Sequence, residues 1–135
     1  MSARNRVDFY ILAIIYMVNQ KELLEALNQF NGTENYYKLN SQLNLTDGTK
    51  YLMEVAYCYW IGDIVSSFQT IERVRNEPFQ VYTLTVDIEI SKGGIICTDG
   101  NCRVLQVQNL HYTDFPLRTI TLYYCDKVLM LPSEY

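Results

Sequence analysis

A single histidine and the absence of any Cys-x-x-Cys pair leave this sequence without the clustered ligands that tetrahedral zinc requires. Glycine is scarce as well. Its sole doublet, Gly93-Gly94, is too bare for a loop that cradles phosphates. No Gly-x-Ser-x-Gly elbow occurs, so a hydrolase nucleophile of that type has no seat. No apolar run reaches the roughly 18–20 residues that cross a bilayer as a helix. An excess of basic residues is also missing: 11 Lys and Arg stand against 15 Asp and Glu, a net charge of −4. Phosphate neutralisation needs a basic face, so direct nucleic-acid binding is not expected. No cofactor and no metal are expected either.

What is present fits one globular domain over residues 1–135. A chain of this length buries roughly 68–70% of its unfolded surface and needs no staples. Half of it is apolar (49%) and 19% is charged, the balance of an ordinary core with a polar surface. Twelve tyrosines add apolar bulk with a polar tip, which suits half-wet surfaces and interfaces.

The compartment is argued from three features. Arg4 and Arg6 precede the apolar run Phe9–Val18, which has the length of a signal-peptide core. Asp8 at its edge and the lack of a small-x-small site favour a helix that continues through Asn19-Gln20-Lys21-Glu22. Two sequons, Asn31-Gly32-Thr33 and Asn44-Leu45-Thr46, are about what chance supplies. Of four cysteines, Cys97 and Cys102 flank Asp99-Gly100. Across a two-residue hairpin they are either a disulfide, in an oxidising compartment, or two small apolar residues, in a reducing one. A nuclear or cytoplasmic location is expected, with secretion as the alternative.

Along the chain, residues 4–18 are apolar all round, and Leu23, Leu24, Leu27 and Phe30 space an amphipathic helix over 20–30. Residues 35–45 read as a short strand and an irregular stretch. Asp47 or Thr49 is placed to cap a helix running from Lys50 to Phe68. Period two then takes over. Strands are expected at Gln69–Arg75, Phe79–Ile90, Cys102–Tyr112 and Arg118–Lys127. Ser91–Gly94 reads as a loop, Ile95–Cys102 as a tight turn and Thr113–Pro116 as another turn. Arg73 and Arg75, beside Glu72 and Glu77, read as a solvated salt-bridge edge.

Helices followed by a run of strands predict an α+β fold, with N-terminal helices packed in the concave face of a curved, mostly antiparallel sheet. The other face then carries Thr83, Thr85, Asp87, Gln106, Gln108, Thr119, Thr121 and Tyr123. That set is neither a core nor a charged solvent face, and it is the expected partner-binding surface. No catalytic residue is assigned. The single histidine, His111, would need Asp87 or Asp63 beside it to act as a base.

This order of elements resembles the nuclear transport factor 2-like family of cystatin-like cones. The stretches that carry the likeness are Leu23–Asn31, the capped helix Thr49–Phe68, Phe68-Gln69-Thr70-Ile71-Glu72 and the strand Tyr82–Glu89. Within the family they are most similar to the small subunits of messenger-RNA export receptors. That resemblance implies a non-enzymatic protein. Its sheet face would pair with the matching cone domain of a larger protein as a heterodimer, or with itself as a homodimer, in nuclear transport through the pore. Dehydratase- and isomerase-type cones of the same family imply a small-ligand pocket instead, with His111 as the candidate base. From Lys50 onward the chain also looks like a cystatin, which implies a secreted binder with a Cys102–Cys125 disulfide. The inhibitory Gln-x-Val-x-Gly run of cystatins is replaced here by Asn76-Glu77-Pro78-Phe79.

Overall fold

The computed structural model describes residues 19–135, so the expected helix over 4–18 lies outside the described residues. The chain is helical from 19 through 27 (α1), where Leu23 and Leu27 are buried one turn apart. A hairpin of β1 (Tyr37–Asn40) and β2 (Leu43–Leu45) follows. Three helices come next: α2 (Asp47–Val55), α3 (Tyr59–Phe68) and the single turn α4 (Glu72–Arg75). The rest is strand: β3 (Phe79–Asp87), β4 (Lys92–Asp99), β5 (Val104–Leu110), β6 (Thr119–Cys125) and β7 (Val128–Met130). A 3-10 turn at Pro132–Glu134 ends the element order.

The fold is α+β, with one seven-stranded sheet in the order β1-β2-β7-β6-β3-β4-β5. Every pairing is antiparallel except β2 with β7. The helices cover one face. Leu52 and Met53 of α2 and Ile61, Val65 and Phe68 of α3 share a core with Tyr82, Leu84, Val86, Ile95, Leu122 and Leu129 of the sheet. Each such side chain removed from water contributes about 1.5–3 kcal/mol.

The expected helix over Lys50–Phe68 is two helices. It breaks at Ala56-Tyr57-Cys58, where Tyr57 takes a left-handed φ of 52°. For a residue with a Cβ that conformation costs about 1–2 kcal/mol. The break turns Cys58 fully inward, where its thiol donates to the Leu52 carbonyl. No glycine or proline marks the site, and the apolar spacing runs straight through it. Gly62 lies inside α3 for a packing reason. A Cβ there would come within 2.5 Å of Leu39 Cδ2, so the β1–β2 hairpin can rest directly on the helix.

The strand expected at Gln69–Arg75 is a bend followed by α4. Val74 alone of that turn is buried. The loop and turn expected over 91–102 are mostly the strand β4. Gly93 belongs in that strand because a Cβ would meet the Thr85 carbonyl oxygen at 2.4 Å. The reversal between β3 and β4 lies earlier, at residues 88–91, with Ser91 at φ 55°. Residues 111–118 are no tight turn. They carry the chain from the edge strand β5 past β4 and β3 to β6. Thr113, Phe115 and Leu117 are buried along that crossing.

Of the two readings of the cysteines, the structure has the one without a disulfide. All four cysteines are free thiols. Cys97 pairs in register with Gln106 rather than Cys102, and it points into the core while Cys102 stands exposed at φ 67°. The turn is therefore longer than two residues, and the geometry of a cross-hairpin pair does not arise.

Thr46, rather than Asp47 or Thr49, is the N-cap of α2. Its hydroxyl accepts from the Thr49 amide, and Thr49 Oγ1 accepts from the Thr46 amide at 2.9 Å. Asp47 does another job. Its carboxylate accepts from the Glu34 amide at 2.9 Å and the Tyr37 hydroxyl at 3.1 Å, tying the segment before β1 to α2. The Glu34 amide, foremost, holds the Asp47 carboxyl below the usual carboxylate range.

The tail completes this helix end. The Glu134 carboxylate accepts from the Thr46 hydroxyl at 2.6 Å, the Gly48 amide at 3.0 Å and the Leu131 amide at 3.0 Å. A negative group at a helix N-terminus satisfies orphan amides and complements the helix dipole. Replacing Glu134 with Ala is expected to cost about 1–2 kcal/mol. A urea titration that leaves the midpoint of E134A at the wild-type value would show that the tail does not hold α2.

Candidate functional site

Among the described residues, no helix covers the other face of the sheet. On β3 the alternation is clean: Gln80, Tyr82, Leu84 and Val86 are buried, while Val81, Thr83, Thr85 and Asp87 are half-buried or exposed. Register then assigns every neighbouring strand. Thr83 lies opposite Ile96 of β4 and Thr121 of β6, and Ile96 lies opposite Val107 of β5. One row further on, Val81 lies opposite Thr98 and Tyr123. On the other side Thr85 lies opposite Gly94 and Thr119. Partners directly opposite share a face. The surface is thus built from threonine, valine and isoleucine, with Ile96 39%, Val107 49% and Val104 58% exposed.

On the four strands β3–β6 the charge of this face is confined to one end, where Asp87 and Lys92 lie opposite each other. The other end is aromatic. Phe79, Tyr123 and Tyr135 form a triangle of ring contacts with centroids 5.0, 5.2 and 5.9 Å apart. These edge and tilted contacts leave flat ring surface toward solvent at Tyr135, which is 77% exposed.

Six of the eight residues expected here lie on this face: Thr83, Thr85, Asp87, Thr119, Thr121 and Tyr123. Gln106 and Gln108 do not. They pair with the buried Cys97 and Ile95, so they lie on the helix side of the sheet. The cause is a bulge. Thr98 lies opposite Val104, and Cys97 opposite Gln106, so Leu105 is an extra residue in β5. An extra residue shifts the two-residue alternation by one, and every side chain beyond it changes face. Leu105 itself is buried. Val107 and Asn109 take the positions on the open face that the alternation from Leu105 would have given to Gln106 and Gln108. Nothing in the composition of Val104–Leu110 signals the bulge.

The other candidates resolve locally. His111 is exposed just beyond β5, and Asp63 is exposed on α3. Arg73 and Arg75 do not form the expected salt-bridge edge. Arg73 Nε donates to the Leu105 carbonyl at 2.7 Å and its Nη2 to Gln106 Oε1, while Arg75 Nη1 donates to the Gln69 carbonyl at 3.0 Å. Among the described residues, no three His, Cys, Asp or Glu side chains converge as metal ligands, and no helix is long and apolar enough to cross a membrane.

Beneath the open face lies a closed polar junction. Gln69 Nε2 donates to the Val65 carbonyl and to Gln80 Oε1, and Gln80 Nε2 donates back to Gln69 Oε1 and to the Val74 carbonyl. The Tyr82 hydroxyl donates to Gln80 Oε1 at 2.6 Å. Sequence alternation finds Gln80 on the buried side, but nothing in it names the partners. Burial raises the Tyr82 phenol strongly. The junction is saturated, so it offers a ligand no open donor or acceptor. It binds α3 and α4 to β3.

Residues 21–135 match a family of unknown function, DUF6876. The chain belongs to that family. No curated protein and no solved structure matches it. The family assignment begins within α1 and includes every strand of the open face.

Thiol reactivity checks the orientation of the sheet. Burial pushes Cys58 up to about 12 and Cys97 up to about 11. Both should resist alkylation at pH 8 in the folded protein, because the thiolate is the reactive form. Cys102, on the exposed turn, should alkylate at least tenfold faster than either. Peptide mass spectrometry after a timed iodoacetamide pulse reads the order, and early labelling of Cys97 would contradict the assigned faces.

Proposed function

We propose that this chain is a non-enzymatic interaction protein that works by laying the open face of its sheet against the matching sheet of another protein domain. The observation that carries this reading is the uncharged centre of the face. Val81, Thr83, Ile96, Thr98, Val104, Val107 and Thr121 lie in register on four adjacent strands with no Lys, Arg, Asp or Glu among them. A solvated sheet face alternates charged residues outward, and contiguous exposed apolar surface marks contact sites. Threonine hydroxyls add hydrogen-bonding capacity of the kind found in wet interfaces.

The helices on one face, the antiparallel sheet and the order α1, hairpin, α2, α3, strands support a nuclear transport factor 2-like architecture. On that reading the partner is a larger protein with a matching cone domain, as in the messenger-RNA export heterodimers, and the site of action is nuclear and cytoplasmic. The partner residues are then Thr83, Thr85, Asp87, Thr119, Thr121 and Tyr123, joined by Ile96 and Val107.

The test uses the complex recovered from the native source. Light scattering is expected to give a one-to-one assembly with a larger protein. Thr83→Arg and Ile96→Arg should each weaken it at least tenfold, since each buries an unpaired charge, while the thermal melt of the isolated chain stays in place. A complex that both variants retain in full would overturn the assignment of the face.

A further inference from the structure

The two edges of the sheet are built differently. β1 is short, carries Lys38, and is interrupted by an irregularity between Lys38 and Asn40. Charge, brevity and a bulge are the usual ways to keep an edge from adding strands. β5, at the opposite edge, has seven residues, Val-Leu-Gln-Val-Gln-Asn-Leu, with no charge and no proline. Only its start is protected, where Arg73 donates to the Leu105 carbonyl.

The phase of the ladder shows which groups β5 leaves unpaired. Val86 donates its amide to Arg118, so the even residues of β3 bond to β6 and the odd ones to β4. It follows that Cys97, Ile95 and Gly93 of β4 bond toward Gln106, Gln108 and Leu110. The Asp99 amide, bonded to the Arg103 carbonyl, has the same phase. The main-chain N–H and C=O of Val107 and Asn109 therefore point away from the sheet, with no partner among the described residues.

We infer that two copies of this chain join edge to edge through β5, antiparallel about a twofold axis at Val107, so that one sheet continues across both. The choice of a second copy rests on the strand's own symmetry. About Val107, Gln106 faces Gln108 of the other copy, both on the helix side of their sheets, and the bulge at Leu105 ends the match beyond these three residues. Val107 faces itself. Over the palindrome Gln106-Val107-Gln108 the apolar residue meets its own copy and amides meet amides, as an isologous contact requires. The Val107 amides and carbonyls bond reciprocally. Gln106 Oε1 already accepts from Arg73, which leaves its amide N–H groups for Gln108 of the partner copy. This contact is separate from the open-face pairing: it uses main chain, and it leaves Thr83 and Thr121 outside the seam.

Sedimentation of the purified chain over a concentration series is expected to show a species of twice the monomer mass. Val107→Pro removes only an outward N–H, which an edge strand tolerates. It should raise the dimer dissociation constant at least tenfold, with an unchanged circular dichroism spectrum. Thr121→Arg, on the open face but far from the edge, should leave the dimer intact. If V107P misfolds, a gain of signal decides the matter. With Cys102 and Cys125 changed to Ser, Val107→Cys should form an intermolecular disulfide on mild oxidation. Ile96→Cys, one strand inward, should not. A chain that is monomeric at every concentration, or a dimer lost on T121R, or an I96C cross-link as fast as V107C, would overturn the proposal.

Discussion

The alternation of β3 is the constraint on which the rest depends. This strand lies between β4 and β6, and its register with both is unbroken along its length. Once Tyr82, Leu84 and Val86 turn toward the helices, Ile95 and Cys97 must follow on one side, and Leu122 and Tyr124 on the other. The remaining positions become a surface by the same step. One strand's two-residue period thus sets both the core and the candidate interaction face.

That period is legible because β3 is long and its two sides differ in chemistry. The same argument fails on β5 because register is a property of pairs, and a bulge leaves no mark within one strand. It fails at Tyr57 for a different reason. Helix ends are read from glycine, proline and capping residues, and here an aromatic residue takes the left-handed turn. β4 was hidden by glycine, which signals a loop when its purpose is a close approach to the Thr85 carbonyl. β7 is too short to announce itself at all, since three residues hold no period. On the site, the threonines of β3 and β6 could be placed from sequence, whereas Ile96 and Val107 needed partners to be known.

Polar groups do the joining between layers. The Gln69–Gln80–Tyr82 junction is buried without an unsatisfied atom. Such a junction gains little net energy over apolar packing, about 0.5–1.5 kcal/mol per bond, but mismatched alternatives leave its groups unpaired. Its contribution is therefore to choose one seating of α3 and α4 on β3. The hydrophobic positions of those helices would tolerate several.

The clasp formed by Glu134 has a consequence for how the chain is made. β2 takes its second neighbour from Val128 and Leu129, and the amides at the start of α2 are satisfied by a residue 86 positions later. A ribosome releases the chain from the N-terminus, so the hairpin, α2 and their apolar face emerge long before the segment that closes them. Until then β2 has an open edge, and Leu43 and Leu45 wait with only part of their final burial. Late closure of this kind raises contact order and slows the last step of folding. The segment Val128–Glu134 is thereby a checkpoint for the β1–β2 side of the sheet.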